Sequence, residues 1–180
     1  MKRNAGKSVS QQGFSIIELM FVVTIIAILV AAAFPSFMSW RRSIEYRTVA
    51  RDIVSTLRDA RSKSLATNRN YQVQFDAALR RYGVRKGNRS RNTNWADTTP
   101  GVIEATQWTA LTNEVNISSN IDYSSDPDNI TGLVFNPDGT IVLFNPGGAI
   151  LTTATVTVLD STLNPKIAID IIASGKIKTR

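Results

Sequence analysis

The pattern of hydrophobic and polar positions changes twice along the chain. Residues 14–38 are almost entirely apolar, and Glu18 is the only ionisable side chain among them. At about 1.5 Å per residue, a helix from Phe14 to about Phe34 spans roughly 30 Å, the thickness of the hydrocarbon core of a bilayer. This segment therefore predicts a membrane-spanning helix.

A one-sided pattern begins after Pro35. Small and apolar residues recur every three or four positions between arginines, which predicts an amphipathic helix that ends near Asn68 to Asn70. Pro35 itself removes one helical hydrogen bond and favours a bend near the outer end of the span. The buried stripe comprises Val49, Ile53, Leu57, Ala60 and Ser64, and the wetter faces carry Arg47, Arg51, Arg58 and Arg61.

From Tyr71 onward, β-branched and aromatic residues recur in short runs separated by Gly, Pro, Asn and Asp, which predicts strands. Asn136-Pro137-Asp138-Gly139 suits a type I turn, so Leu133–Phe144 is predicted to be a hairpin. The candidate strands are Tyr71–Phe75, Arg81–Arg85, Val102–Trp108, Leu133–Phe135, Ile141–Phe144, Ala154–Leu159 and Ile167–Ile172.

The amino-acid composition excludes several kinds of catalytic and metal-binding site. The chain contains no cysteine, which excludes disulfides, thiolate metal sites and cysteine nucleophiles. It also contains no histidine, the commonest general base and transition-metal ligand. We therefore predict no enzymatic activity, no resident metal and no cofactor. Asp122, Asp126 and Asp128 offer three carboxylates to a cation such as calcium, but a polar turn is the favoured interpretation.

Basic residues precede the apolar run. Lys2, Arg3 and Lys7 stand there without an acidic residue, which favours a cytoplasmic N-terminus and export of the rest of the chain. Removal of a leader that ends at Gly13 takes three of the 21 basic side chains away and lowers the formal charge from +7 to +4. The mature protein is then only moderately basic.

Two other interpretations of the apolar segment stay open. One is an ordinary secretory signal cut after the small residues that end at Ala33, and the other is a plain signal anchor. Glu18 argues against both, because a carboxylate inside an apolar helix costs a few kcal/mol on insertion scales and should therefore have a partner.

The segment Gly13-Phe14-Ser15-Ile16-Ile17-Glu18 resembles the prepilin peptidase motif of type IV pilins and secretion pseudopilins. The resemblance implies that a prepilin peptidase cuts after Gly13 and methylates the new amino terminus of Phe14. Glu18 of one subunit would neutralise the terminal ammonium of its neighbour and set the register of assembly. Pilin-like helices often carry a proline at the place of Pro35.

Further stretches resemble one branch of that family, the GspH/FimT minor pseudopilins. They are residues 57–62 with 70–73, the turn at 134–139 and the C-terminal residues 167–178. The resemblance implies an α+β fold in which a long N-terminal helix packs on antiparallel β-sheets. It also implies a low-copy subunit at or near the tip of a type II secretion pseudopilus or type IV pilus, with other pilins or pseudopilins as partners.

These inferences divide the chain into four parts. They are a basic leader (1–13), a transmembrane and assembly helix (14–37), the amphipathic second half of the helix (38–70) and an exported β-rich domain (71–180). The predicted location is the bacterial inner membrane, crossed once with the N-terminus in the cytoplasm. Assembly would then place the chain in a periplasmic pseudopilus or a surface pilus.

A rival function is DNA binding at a pilus tip. Two basic clusters are candidates for phosphate contacts: Arg81, Arg85 and Arg89 in one, Lys176 and Lys178 in the other. Some relatives that take up DNA have a tail with a glycine followed by alternating basic residues. Here lysines stand where arginine is typical, and lysine lacks the bidentate fork. A solvated basic surface on a structural subunit is therefore the favoured interpretation.

Overall fold

The structure, a computed structural model, describes residues 14–87, 106–123, 132–145, 147 and 149–180. Contacts divide the chain into two units, residues 1–41 and residues 42–180. One helix, α1 (Ile16–Thr67), contributes residues to both units. Each unit is described by itself.

The α1 residues of the first unit satisfy their polar groups locally. The Leu19 amide donates to the Ser15 carbonyl at 3.1 Å, and the Thr24 hydroxyl donates to the Met20 carbonyl at 2.8 Å. Such internal bonding is what an apolar environment demands of a helix. Pro35 lies inside the continuous helix.

The α1 residues of the second unit bury one stripe, at Tyr46, Ala50, Ile53, Val54, Leu57, Ala60 and Ser64. The three- and four-residue spacing agrees with the amphipathic pattern of the sequence. The helix ends at Thr67 because Asn68 adopts a positive φ of 52° and the Arg69 amide turns back to the Ser64 carbonyl at 3.3 Å. This is the hydrogen bond of a Schellman C-cap, one to three residues before the predicted end.

Ten strands are described in the second unit. They are β1 (Tyr71–Asp76), β2 (Arg81–Lys86), β3 (Gln107–Ala110), β4 (Val115–Ser119), β5 (Gly132–Phe135), β6 (Ile141–Phe144), β7 (Ile150–Leu151), β8 (Thr153–Asp160), β9 (Pro165–Ile172) and β10 (Ile177–Thr179).

The strands form two sheets. The first has six strands in the order β3-β2-β1-β5-β6-β7, and the second has four in the order β10-β9-β8-β4. Every neighbouring pair is antiparallel. The predicted hairpin is confirmed, since β5 pairs with β6 and the Gly139 amide donates to the Asn136 carbonyl at 3.0 Å across the turn.

The larger of two described hydrophobic clusters joins the α1 stripe to both sheets. Ile53 and Leu57 of the helix, Phe75 of the first sheet and Ile169 of the second are all fully buried in it. Each such side chain stabilises the fold by about 1.5–3 kcal/mol. The predicted α+β class, a long helix on antiparallel sheets, is confirmed.

Most of the predicted strands exist. Six of them match within two residues, and the candidate at 102–108 overlaps β3, although residues 102–105 lie outside the described residues. Three strands were not predicted: β4, β7 and β10. The last two have only two and three residues, too few to show a period-two pattern.

Candidate functional site

The first helical segment is apolar on all sides. Every side chain from Phe14 to Phe37 is exposed. Within the described part of the chain, α1 is the one helix long and apolar enough to cross a membrane, judged by length and composition. An apolar surface of this size needs lipid or other helices to cover it.

Glu18 lies in the first turn of this segment. It forms no ion pair or hydrogen bond with any described residue. Phe14, two residues before the helix begins, is 83% exposed. Gly13, the predicted residue before the cut, lies outside the described residues. The structure thus leaves the carboxylate of Glu18 available to a group from another molecule.

Arg81 of β2 is held by contacts inside the domain. Its Nε lies 2.9 Å from Oδ2 of Asp76, whose side chain is only 4% exposed. Its guanidinium carbon lies 4.1 Å from the ring centroid of Trp108, a cation–π distance. Arg81 therefore compensates a buried carboxylate, and removing it would leave that carboxylate unpaired.

Arg85 has a similar role on the same strand. Its Nε donates a hydrogen bond to Oε1 of Gln72, a fully buried side chain. The strand register explains both contacts, because Asp76 stands opposite Arg81 and Gln72 opposite Arg85 in the β1–β2 pair. Arg89, the third member of the predicted cluster, lies outside the described residues.

The C-terminal basic residues belong to the other sheet. Lys176 and Lys178 are exposed and form no hydrogen bond or ion pair with a described residue. Arg180, in contrast, lies 2.6 Å from Asp170 (Nε to Oδ2). The hydrogen bond from Arg180 is the main reason that the pKa of Asp170 is lowered. The described members of the two predicted basic clusters thus belong to different sheets.

Comparison with known families adds a second kind of observation. Residues 9–34 match the prokaryotic N-terminal methylation motif, and residues 49–175, well over half of the chain, match the type II transport protein GspH. The chain belongs to the GspH family. Its N-terminal methylation motif is that of type IV pilin-like proteins, as the sequence pattern predicted.

Solved structures show the same fold as this GspH chain. Two structures of the minor pseudopilin EpsH from the type II secretion system of Vibrio cholerae match it with TM-scores of 0.51 and 0.54. Both are 12% identical; they cover 76% and 77% of this chain and 96% and 97% of their own. No curated protein sequence matches the chain.

The predicted polar turn at 122–129 is described only at its start. Asp122 accepts a hydrogen bond from the Ala77 amide at 3.1 Å, whereas Asp126 and Asp128 lie outside the described residues. Among the residues that are described, no group of three or more acidic side chains is placed to hold a metal ion. Tyr82 lies in the core of the GspH domain, and Trp108 packs on Tyr123 and Arg81.

The sequence reasoning missed a row of buried polar side chains. Gln72, Gln74 and Asp76 alternate with apolar residues in β1, a pattern that normally indicates a solvent-facing side, yet all three are buried. The sequence did contain one signal for this burial, which is the spacing of Gln72 and Asp76 from the arginines of the next strand. A short turn places Asp76 opposite Arg81 and Gln72 opposite Arg85, so these two acceptors have basic donors, whereas Gln74 accepts from the Thr106 hydroxyl at 2.9 Å.

Proposed function

We propose that this GspH-family chain is a minor pseudopilin, a structural and non-catalytic subunit of the pseudopilus of a type II secretion system. One observation carries the proposal. A single chain joins the N-terminal methylation motif, on an uncovered apolar helix, to a domain that matches GspH over residues 49–175. The subunit waits in the inner membrane, single-pass with a cytoplasmic N-terminus, and enters the filament when neighbouring helices cover its apolar surface.

Processing would prepare the helix for assembly. Gly13 offers a peptidase a backbone without side-chain bulk, and cleavage after it gives Phe14 a free amine that remains cationic after a single methylation. Glu18 of a neighbouring subunit pairs with that cation. Burial of either charge alone costs several kcal/mol, so the pair fixes the axial register of each incoming subunit. Pro35 allows a bend where the membrane span ends.

The proposed position is at or near the tip of the filament. EpsH, which shares the fold of this chain, is described as a minor pseudopilin, and the resemblance of this sequence to minor pseudopilins implies a low-copy subunit. The partners are then the prepilin peptidase during maturation and other pseudopilins during assembly.

The intact mass of the membrane-extracted full chain, produced together with a prepilin peptidase, tests this proposal. We expect a mature protein that starts at Phe14 and carries one methyl group. Gly13→Leu should block cleavage because its side chain obstructs the approach to the backbone, whereas the matched change Gly6→Leu should be processed normally. A mature chain that starts after Ala33, or one that keeps Met1 when Gly13 is intact, contradicts the proposal.

The rival function, DNA binding, draws on Lys176 and Lys178, whose side chains are exposed and unpaired among the described residues. If they contact phosphates, affinity for duplex DNA falls with salt, and Lys176→Ala with Lys178→Ala flattens the log–log slope by about 0.9 for each lost contact. Retention on DNA-coated beads across a salt series measures this. The pseudopilin proposal predicts little DNA affinity at any salt concentration.

A further inference from the structure

A groove of about 430 Å³ runs between α1 and β10 in the second unit. Apolar side chains form its floor and arginines form its rim, and we name it the arginine groove. The floor residues are Ala50, Val54, Ile167 and Ile177; the rim residues are Arg47, Arg51 and Arg58; Ser55 and Thr179 complete the lining.

The three rim arginines differ from the arginines of β2. All three are exposed, and none forms an ion pair or hydrogen bond with a described residue. The lining contains no carboxylate. The three cations at the rim repel one another and attract an anionic group. The apolar floor favours contact with apolar side chains. The chemistry of the groove is therefore complementary to an acidic and apolar polypeptide.

The edge of β10 supplies a second, independent feature. β10 is the edge strand of the four-stranded sheet. Arg180 and Ala168 exchange both backbone hydrogen bonds, at 2.8 and 3.0 Å, and Lys176 accepts from the Ile172 amide. Because this pattern alternates along antiparallel strands, the N–H and C=O groups of Ile177 and Thr179 point away from β9. They form a template for one more strand.

The groove is held in shape at one end. Arg61 of α1 donates a hydrogen bond from Nη1 to the Gly175 carbonyl at 3.0 Å, immediately before β10. Gly175 has a φ of 91°, and a Cβ there would lie 2.9 Å from the Arg61 guanidinium nitrogens. An alanine there would force the guanidinium to shift and would disturb this hydrogen bond. A preformed groove loses little conformational entropy on binding.

On the basis of the proposed function, we propose that the arginine groove binds an extended acidic and apolar segment of a different pilin-like subunit, which adds as a strand to the free edge of β10. Alternate side chains of the segment contact the floor, and its carboxylates pair with Arg47, Arg51 and Arg58. Arg58 lies eleven positions after Arg47, a helical rise of roughly 16 Å and the length of about five residues of extended strand.

The charge of the chain argues for a different subunit rather than a second copy. The chain has a formal net charge of +7, or +4 without the residues up to Gly13, so a second copy would bring more basic than acidic residues to a basic rim. The occupant is instead expected to come from an acidic neighbour in the filament. Strand addition gives affinity through the backbone and specificity through alternate side chains.

Site-specific photo-crosslinking tests the inference. A photoreactive amino acid replaces Ser55 in the full chain, which is produced in cells with the complete set of pseudopilins, and mass spectrometry identifies the crosslinked peptide in isolated filaments. We expect a segment of another pilin-like subunit that alternates apolar and acidic residues. Arg51→Glu combined with Arg58→Glu should lower the crosslink yield about tenfold or more, because two charge-assisted contacts become repulsive.

Two matched pairs of variants distinguish the loss of a proposed contact from a general loss of folding. Lys63→Glu reverses a charge on the same helix outside the groove and should leave the yield unchanged. Thr179→Pro removes the N–H that points away from β9, whereas Thr179→Val keeps it, so only the proline variant should lose the crosslink. Unchanged thermal unfolding of each variant shows that the domain still folds.

The possible results distinguish this inference from the proposed function. If the chain is recovered in filaments but Ser55 crosslinks to lipid, to DNA, to a copy of the same chain or to nothing, the groove inference is wrong and the pseudopilin proposal stands. A crosslink that survives both the arginine and the proline variants also overturns the groove inference. If the chain never enters filaments, both are wrong.

Discussion

The two parts of α1 obey the same helical geometry but differ in what covers them. From Phe14 to Phe37 every side chain is exposed, whereas residues 46–64 bury one in every three or four positions in a core. Leu29 is 63% exposed and Leu57 is fully buried, although both are leucines in the same helix.

This difference in exposure shows which molecules supply the stabilising contacts of each part. The second part is stabilised by its own chain, through the side chains of two sheets. The side chains of the first part are exposed, so we expect its apolar surface to be covered by lipid or by other subunits. Substitutions in the first part should therefore change assembly, and substitutions in the second part should change folding.

Glu18→Gln should give the largest effect, and it should appear only in assembly. The glutamine keeps the shape of the side chain but leaves the neighbouring ammonium without a countercharge, which costs about 3–5 kcal/mol when buried. We expect incorporation into filaments to fall by about a hundredfold or more. The amount of the chain recovered in sheared filaments, relative to the amount in the membrane fraction, measures this incorporation.

The matched control for that change is Glu114→Gln in the second unit. Glu114 lies 3.8 Å from Arg42 in an exposed ion pair, which is worth about 0–1 kcal/mol. Equal losses of filament recovery for the two variants, or no loss for Glu18→Gln, would break the comparison between the two parts of the helix.

Leu57→Ala should lower the free energy of unfolding by about 2–5 kcal/mol, because it opens a cavity in a closed core. Leu29→Ala removes the same atoms from a side chain that contacts no core, and we expect a change below about 0.5 kcal/mol. Denaturant unfolding of the detergent-solubilised full chain, followed by tryptophan fluorescence, compares them. A similar cost for both variants would show that the first part also folds onto the domain.

Gly175→Ala should cost more than Gly139→Ala. Both glycines have a positive φ, 91° and 83°, and the left-handed region costs an alanine about 1–2 kcal/mol. At Gly139 the nearest atom to an added Cβ is Leu65 Cδ2 at 3.9 Å, but at Gly175 it meets the Arg61 guanidinium at 2.9 Å. The extra cost should disappear in an Arg61→Ala background, which a double-mutant cycle in unfolding free energy measures.

Acid should weaken the second unit through its carboxylates. The pKa of Asp170 is lowered mainly by the hydrogen bond from Arg180, and that of Asp160 mainly by the hydrogen bond from Thr162. Because the folded pKa is below the unfolded value near 3.9, this stability is present above about pH 4 and is lost as the pH falls further. Thermal unfolding across pH should show the loss, and Asp170→Asn should reduce its steepness.

The local patterns of the sequence were sufficient for much of the fold. The all-round apolar run, the three- and four-residue stripe ending at Ser64 and the Asn136–Gly139 turn each have one simple physical solution, and the structure contains all three. The methylation motif is also a local pattern, and residues 9–34 match the model of that motif. These features depend on neighbours only a few residues away.

The parts that the sequence did not predict depend on distant partners. Gln72 and Asp76 look like solvent-facing residues until the β1–β2 register pairs them with Arg85 and Arg81. The arginine groove lies between α1 and β10, and Arg61 of α1 hydrogen-bonds the carbonyl of Gly175, far along the chain. A count of basic residues therefore overestimated the free charge of β2 and gave no sign that Arg51 and Arg58 have no ion-pair partner among the described residues.

The β8–β9 hairpin has a consequence for the order of folding. Only residues 161–164 separate its strands, and the Asp160 carboxylate accepts bonds from the amides of Thr162 and Asn164, whereas β4 must wait for β8, which begins at Thr153. Loop closure makes the local pair cheaper to form, so we expect φ-values for Val156→Ala to exceed those for Val115→Ala. In the proposed topology β4 crosses the membrane before β8 and β9, so the four-stranded sheet would form only after its hairpin has been exported.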